Sequence, residues 1–180
     1  MRFSFQSKAT ETQVGFGVLA VLLACSLGCD PIHSVGVHGI ISKPIDRDCI
    51  LQSLQNEDEI ANVSVYEAVS RKVWNFRDGV HEVITPVQYG VESGKTVGGY
   101  KIGAVVVQWQ DKQELAHLSS ETSWMGLEPR PEVFQKQARL FNVYLARRIS
   151  QFCNAKFVDG LKCGPESKSC EGEQSGLDEK

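Results

Sequence analysis

The sequence predicts an α+β domain: a mostly antiparallel sheet of about five strands with two helices packed on one face, in the order β-α-β-β-β-β-α. Two patterns point there. Residues 134 to 152 carry an apolar stripe at helical spacing, and several runs before them alternate apolar with polar residues at the period of two that a half-buried strand requires. The one other helix-like segment, near residue 50, opens with a capping residue and an acidic first turn.

His33 to Ser42 alternates with Val35, Val37, Gly39 and Ile41 on one face, and Pro44 ends it. A helix follows, because Asp46 can cap the orphan amides, Asp48 favours the positive pole, and Ile45 can staple onto Ile50. It buries Ile50, Leu51, Leu54 and Cys49, and frays in the acidic turn from Asn56 to Glu59. Asn62 to Val69 reads as a strand on Val63, Val65 and Val69, with its continuation through Val73 and Phe76 left open. After an Asp78-Gly79 turn, Val80 to Val91 sets Val83, Val87, Tyr89 and Val91 on one face. Pro86 removes a backbone donor in that run, which argues for an edge strand or a bulge. Ser93 to Gly99 is a turn; Tyr100 to Gln110 is the most apolar strand, with Ile102 to Val107 expected to be buried on both faces or nearly so. Leu115 to Trp124 is polar and half exposed. Pro129 and Pro131 open the long helix, whose stripe runs through Phe134, Ala138, Phe141, Leu145, Ile149 and Phe152. Val133, Leu140 and Tyr144 widen it, and Arg147 and Arg148 suit the negative pole.

The chain has 180 residues, enough for one domain, with 42% hydrophobic and 23% charged residues, as in an ordinary globular fold. With a formal net charge of −3, nothing favours a nucleic-acid partner, which normally needs a strongly basic face.

At the N-terminus, Arg2 and Lys8 precede an uncharged apolar run from Val14 to Ala24, too short for a membrane span and of the length of a secretory signal. The segment Leu22-Leu-Ala-Cys25-Ser-Leu-Gly-Cys29-Asp30 resembles a lipobox, the cleavage and lipidation signal of bacterial lipoproteins. Two cysteines compete for the lipid. Cys25 has the better-fitting upstream residues, with Leu22 three positions before it. Cys29 leaves Cys49, Cys153, Cys163 and Cys170, an even set for an oxidising compartment. Cysteine parity favours Cys29. The resemblance thus implies a signal peptide over residues 1–28; the periodic runs mark an α+β domain over 30–153, and the Gly, Ser, Glu and Lys content after it reads as a flexible polar tail over 154–180. The resemblance also implies an attachment to the membrane through the N-terminal lipid, in the bacterial cell envelope and facing the periplasm. Asp30 resembles an inner-membrane retention signal if Cys29 is modified, whereas Ser26 implies the outer membrane if Cys25 is.

Disulfides are the expected use of the remaining cysteines. Cys49 and Cys153 lie in helices that one sheet face would bring side by side, and Cys163 and Cys170 could close a small loop in the tail. No C-x-x-C pair exists, so no metal site is expected and no cofactor is implied. His33 and His38 differ in parity and should point to opposite faces; His81 and His117 begin separate runs. Ser93-Gly94-Lys95-Thr96 lacks the upstream glycine of a P-loop and is flanked by strands, so it reads as a hairpin turn. Asn62-Val63-Ser64 matches a glycosylation sequon, which a bacterial signal makes irrelevant. Trp74, Trp109 and Trp124 are expected in the core rather than along a groove.

No catalytic residue is assigned. The expectation is a non-enzymatic envelope lipoprotein that binds another envelope protein, a lipid or a polymer. Its order of elements is similar to that of periplasmic lipoproteins assisting transporters or lipopolysaccharide assembly. The alternatives are an exported, membrane-anchored enzyme whose site is built from residues distant in sequence, and a surface component cross-linked through its tail cysteines.

Overall fold

The computed structural model describes residues 32–170 except 56, 76–78, 127 and 165–167. The signal segment with Cys25 and Cys29 lies outside these residues. The order is β1 (Ile32–Ile41), α1 (Arg47–Leu54), β2 (Ile60–Tyr66), β3 (Val69–Asn75), β4 (Gly79–Thr85), β5 (Gln88–Val97), β6 (Tyr100–Gln110), β7 (Ala116–Met125), α2 (Glu132–Phe152), β8 (Lys162–Cys163) and β9 (Lys168–Ser169). Seven strands form one sheet in the order β2-β5-β6-β7-β1-β8-β9, and every pairing in it is antiparallel. Both helices cover one face, so the α+β architecture stands as the sequence predicts.

α2 lays its stripe across the sheet and buries Phe134, Ala138, Phe141, Leu145 and Ile149 against Val35, Tyr89, Val91, Val106 and Leu118. α1 starts where Asp46 accepts a hydrogen bond from the Asp48 amide at 2.8 Å. Its Ile50 and Leu54 join the same core, as does Ile45 just before it. The Gln108 side chain holds that entry, accepting from the Ile45 amide at 2.8 Å and donating to the Ile45 carbonyl at 3.1 Å.

Three features differ from the sequence reading. First, the runs 62–76 and 80–91 are four strands rather than two. Glu67-Ala68 and Pro86-Val87 interrupt them at matching positions, so the outer halves leave the main sheet as a separate two-stranded ribbon, β3–β4. Pro86 therefore ends a strand instead of bulging one. Phe76 and Asp78 lie outside the described residues.

Second, β6 is not buried on both faces: Ile102, Ala104 and Val106 point into the core while Gly103 and Val105 face outward, because no element among the described residues covers the far side. Third, in the stretch expected to be a flexible tail, the described residues 154–164 and 168–170 are folded onto the domain. Ala155, Leu161 and Cys170 are buried, β8 pairs with β1, and Phe157 packs where Gly39 leaves room. A Cβ at Gly39 would stand 2.6 Å from the Phe157 ring, so the few apolar residues after 153 find a prepared seat.

Candidate functional surfaces

The four cysteines after Cys29 are joined in two pairs. Cys49 in α1 is bonded to Cys153 at the end of α2, with a Cα–Cα distance of 5.9 Å, and Cys163 is bonded to Cys170 at 5.4 Å. The first bridge fastens α1 to α2, and the second closes the turn between β8 and β9.

The histidines are dispersed. His33 and His38 point to opposite faces of β1, as strand parity requires. His33 stacks on Trp124 with 5.9 Å between ring centroids, on the helix side of the sheet, and its Nε2 lies 3.2 Å from the Gly126 carbonyl oxygen. His38 instead borders a shallow depression of about 310 Å³ on the uncovered face, with Ser34, Gly36, Ser119 and Glu121. Among the described residues no group of three or more His, Cys, Asp and Glu side chains is arranged to hold a metal ion.

His117 makes the one histidine–carboxylate contact among the described residues. Its Nε2 is 3.0 Å from the Asp111 carboxylate, and its ring stacks on Trp109 at 5.2 Å. The hydrogen bond from His117 holds the Asp111 carboxyl below its ordinary range, opposed by desolvation and helped by the Leu115 and Gln113 amides. A depressed folded-state value stabilises the fold above the unfolded carboxylate range and loses that contribution as pH falls through the folded value. Replacing His117 by Phe should therefore move the Asp111 titration upward, part of the way to an ordinary aspartate, in carboxyl-detected NMR. An unmoved titration would assign the depression to the two amides alone.

Trp74 overturns the expectation that the tryptophans are core. Trp124 packs against the core, Trp109 is partly exposed beside His117, and Trp74 is 60% exposed on the ribbon. The ribbon's register pairs Trp74 with Val80 and Ser70 with Ile84 on one face, and Arg71 with Val83 on the other, which also holds Val69 and Val73. Each face thus carries three large apolar side chains, all exposed. Alternation of this kind reads in a sequence as a strand with one buried face, so only the break at Pro86 and Glu67-Ala68 could have marked it. At the ribbon's base, Arg47 at the start of α1 grips the Glu67 carboxylate with both guanidinium nitrogens, one at 3.0 Å.

The core holds a polar cluster that the sequence reading passed over. Asn142, fully buried in the stripe of α2, donates through Nδ2 to the Val35 carbonyl (3.2 Å), the Thr122 hydroxyl (2.9 Å) and the Ala138 carbonyl (2.8 Å). Its Oδ1 accepts from the Ser120 hydroxyl at 2.6 Å. The inward polar residues of β7 are thereby satisfied, and α2 is locked to β1 and β7 in one register.

No family model matches the chain, and no curated protein does. Among solved structures it is similar to the exocytosis-sensitive phosphoprotein pp63/parafusin, a phosphoglucomutase from Paramecium, in its open form, with a TM-score of 0.31 and 11% identity. That match covers 86% of this chain, which spans about a quarter (26%) of the other protein's length.

Proposed function

We propose that the chain is the precursor of a membrane-anchored envelope lipoprotein, and that its domain is a binding or assembly module whose β3–β4 ribbon meets the partner. The ribbon is the observation that carries the reading. A two-stranded hairpin with no core beneath it is marginal in water, and contiguous exposed apolar side chains mark interaction sites. Both outer edges of the ribbon are open to strand addition among the described residues, which favours a protein partner over a lipid or polymer. The lipobox-like segment and the two disulfides support export, since cleavage before Cys29 leaves every cysteine after the lipid-bearing one paired.

Mass spectrometry of the mature protein from membranes tests the anchor. The expected species begins at Cys29 and carries three acyl chains, which Cys29→Ser abolishes and Cys25→Ser leaves intact. The reverse pattern moves the anchor to Cys25, and an unacylated wild type removes the lipoprotein reading. For the ribbon, Trp74→Ser with Ile84→Ser should keep stability within about 0.5 kcal/mol of wild type, as for other surface changes. It should also abolish photocrosslinks made from position 80 in intact cells. An unchanged crosslinking pattern would take the ribbon out of the reading.

A further inference from the structure

The two ends of the sheet expose different things. β1, β2 and β6 run in one direction and β5 and β7 in the other, so the start of β1 lies at the same end as the end of β7. Register places Ile32 opposite Met125 there, and the two side chains are 73% and 70% exposed. Behind them an aromatic file crosses between sheet and helix. His33 stacks on Trp124, Trp124 meets the Phe134 ring at 5.6 Å and Phe134 meets Tyr100 at 6.0 Å. The Arg130 guanidinium caps the file 3.8 Å above the Tyr100 ring. Val133, beside Phe134 in the first turn of α2, is exposed as well.

We infer that this rim, formed by Ile32, Tyr100, Met125 and Val133, rests in the headgroup layer of the bilayer and takes phospholipid as its partner. The inference relies on the lipid attachment at Cys29 proposed above. Cys29 stands three residues before Ile32, a reach of at most about 10 Å. The headgroup layer of one leaflet is itself roughly 5–8 Å deep. A tether that short keeps the start of β1 within or a few ångströms above the headgroup layer, and the side chains at that point include Tyr100, a type that suits this depth, beside aliphatic ones. Lys101 and Arg130 on this end are balanced by Glu128 and Glu132, so the contact is apolar, needs no anionic lipid and is insensitive to salt. The strands that lead to the ribbon, β2 at Tyr66 and β5 at Gln88, end level with Val107 and hence with Ser119 and His38, toward the opposite end of the sheet. Seating the rim therefore presents the ribbon away from the membrane that carries the anchor.

Methionine oxidation reads this without a mutation. Met1 leaves with the signal peptide, and Met125 is then the sole methionine. The lipidated protein is placed at low density on phosphatidylcholine vesicles and exposed to a membrane-impermeant oxidant. Its Met125 should gain oxygen about tenfold more slowly than in the unlipidated Cys29→Ser protein beside the same vesicles, while oxidation of Trp74 is equal in both. Equal Met125 rates, with the acyl mass on Cys29 confirmed, would overturn the seating and leave the lipoprotein reading standing. Equal slowing of Met125 and Trp74 would also overturn it, because protection would then be general. Acylation at Cys25, with its longer tether, or no acylation at all, removes the inference together with its premise.

Discussion

Replacing both Cys49 and Cys153 with alanine is expected to cost the domain roughly 3–5 kcal/mol and to lower its melting temperature by about 10–15 °C. The bridge spans a sequence separation of 104 residues, and a cross-link removes more freedom from the unfolded chain as the loop it closes lengthens. It also secures an element with little else to hold it. α1 has eight residues, too few to be helical alone, and depends on its packing against α2 and β2. Opening the Cys163–Cys170 bridge in the same way should cost less, about 2–3 kcal/mol, since its separation is only 7. Urea unfolding of the two double variants under matched conditions checks the order. If the tail bridge proved the more valuable, constraint of the unfolded chain would not be the source of the stabilisation.

Asn142→Ala is expected to cost a similar roughly 3–5 kcal/mol, for a different reason. The substitution leaves the Ser120 and Thr122 hydroxyls and the Val35 carbonyl without their partner in a site closed to water, and opens a cavity among Phe141, Leu118 and their neighbours. Asn142→Asp separates the two contributions. It keeps the volume, but an ionised carboxylate would face the Val35 and Ala138 carbonyls with nothing to donate to them. Burial and these acceptors should raise its folded-state pKa above that of an unfolded aspartate. The folded form then holds its proton longer, so the penalty is small below the unfolded carboxylate range and grows as pH rises through it. Chemical denaturation at pH 4 and at pH 7 should show Asn142→Asp closest to wild type at the acid end. A penalty independent of pH would mean that lost packing, not the stranded acceptors, governs this position.

The parts of the fold legible in the sequence are those decided by local periodicity. The recurrence from Phe134 to Phe152 gives α2, Asp46 gives the start of α1, and the alternation of Val35, Val37 and Ile41 gives the buried face of β1. The fate of an alternating run is decided by what lies beneath it, which is why Val69, Val73 and Val83 resembled core positions and stand in solvent. Asn142 was hidden for a related reason. It sits between Phe141 and Val143 on the otherwise apolar face of the helix, and its partners Ser120 and Thr122 are inward residues of a strand that looks merely polar. Polar groups that satisfy one another across the sheet leave no periodic trace. The stretch from Asn154 to Cys170 folds on a handful of anchors, Ala155, Leu161 and Phe157, and a bridge, too few to outweigh its Gly, Ser and Lys content on inspection.

The position of β1 has a consequence for the order in which the molecule can assemble. It is the first strand to be synthesised, yet its neighbours in the sheet are β7 and β8, among the last. The hairpins β5–β6 and β6–β7 can close as soon as they emerge, whereas Val35, Val37 and Ile41 must wait for nearly the whole domain before their face is covered. β8 pairs only with β1 and β9, so the pairing of β1 with β7 must come before β8 can extend the sheet, which makes both late events. A nascent chain emerging N-terminus first would carry an unpaired apolar strand throughout, and would need a holdase or rapid translocation to keep it from pairing elsewhere.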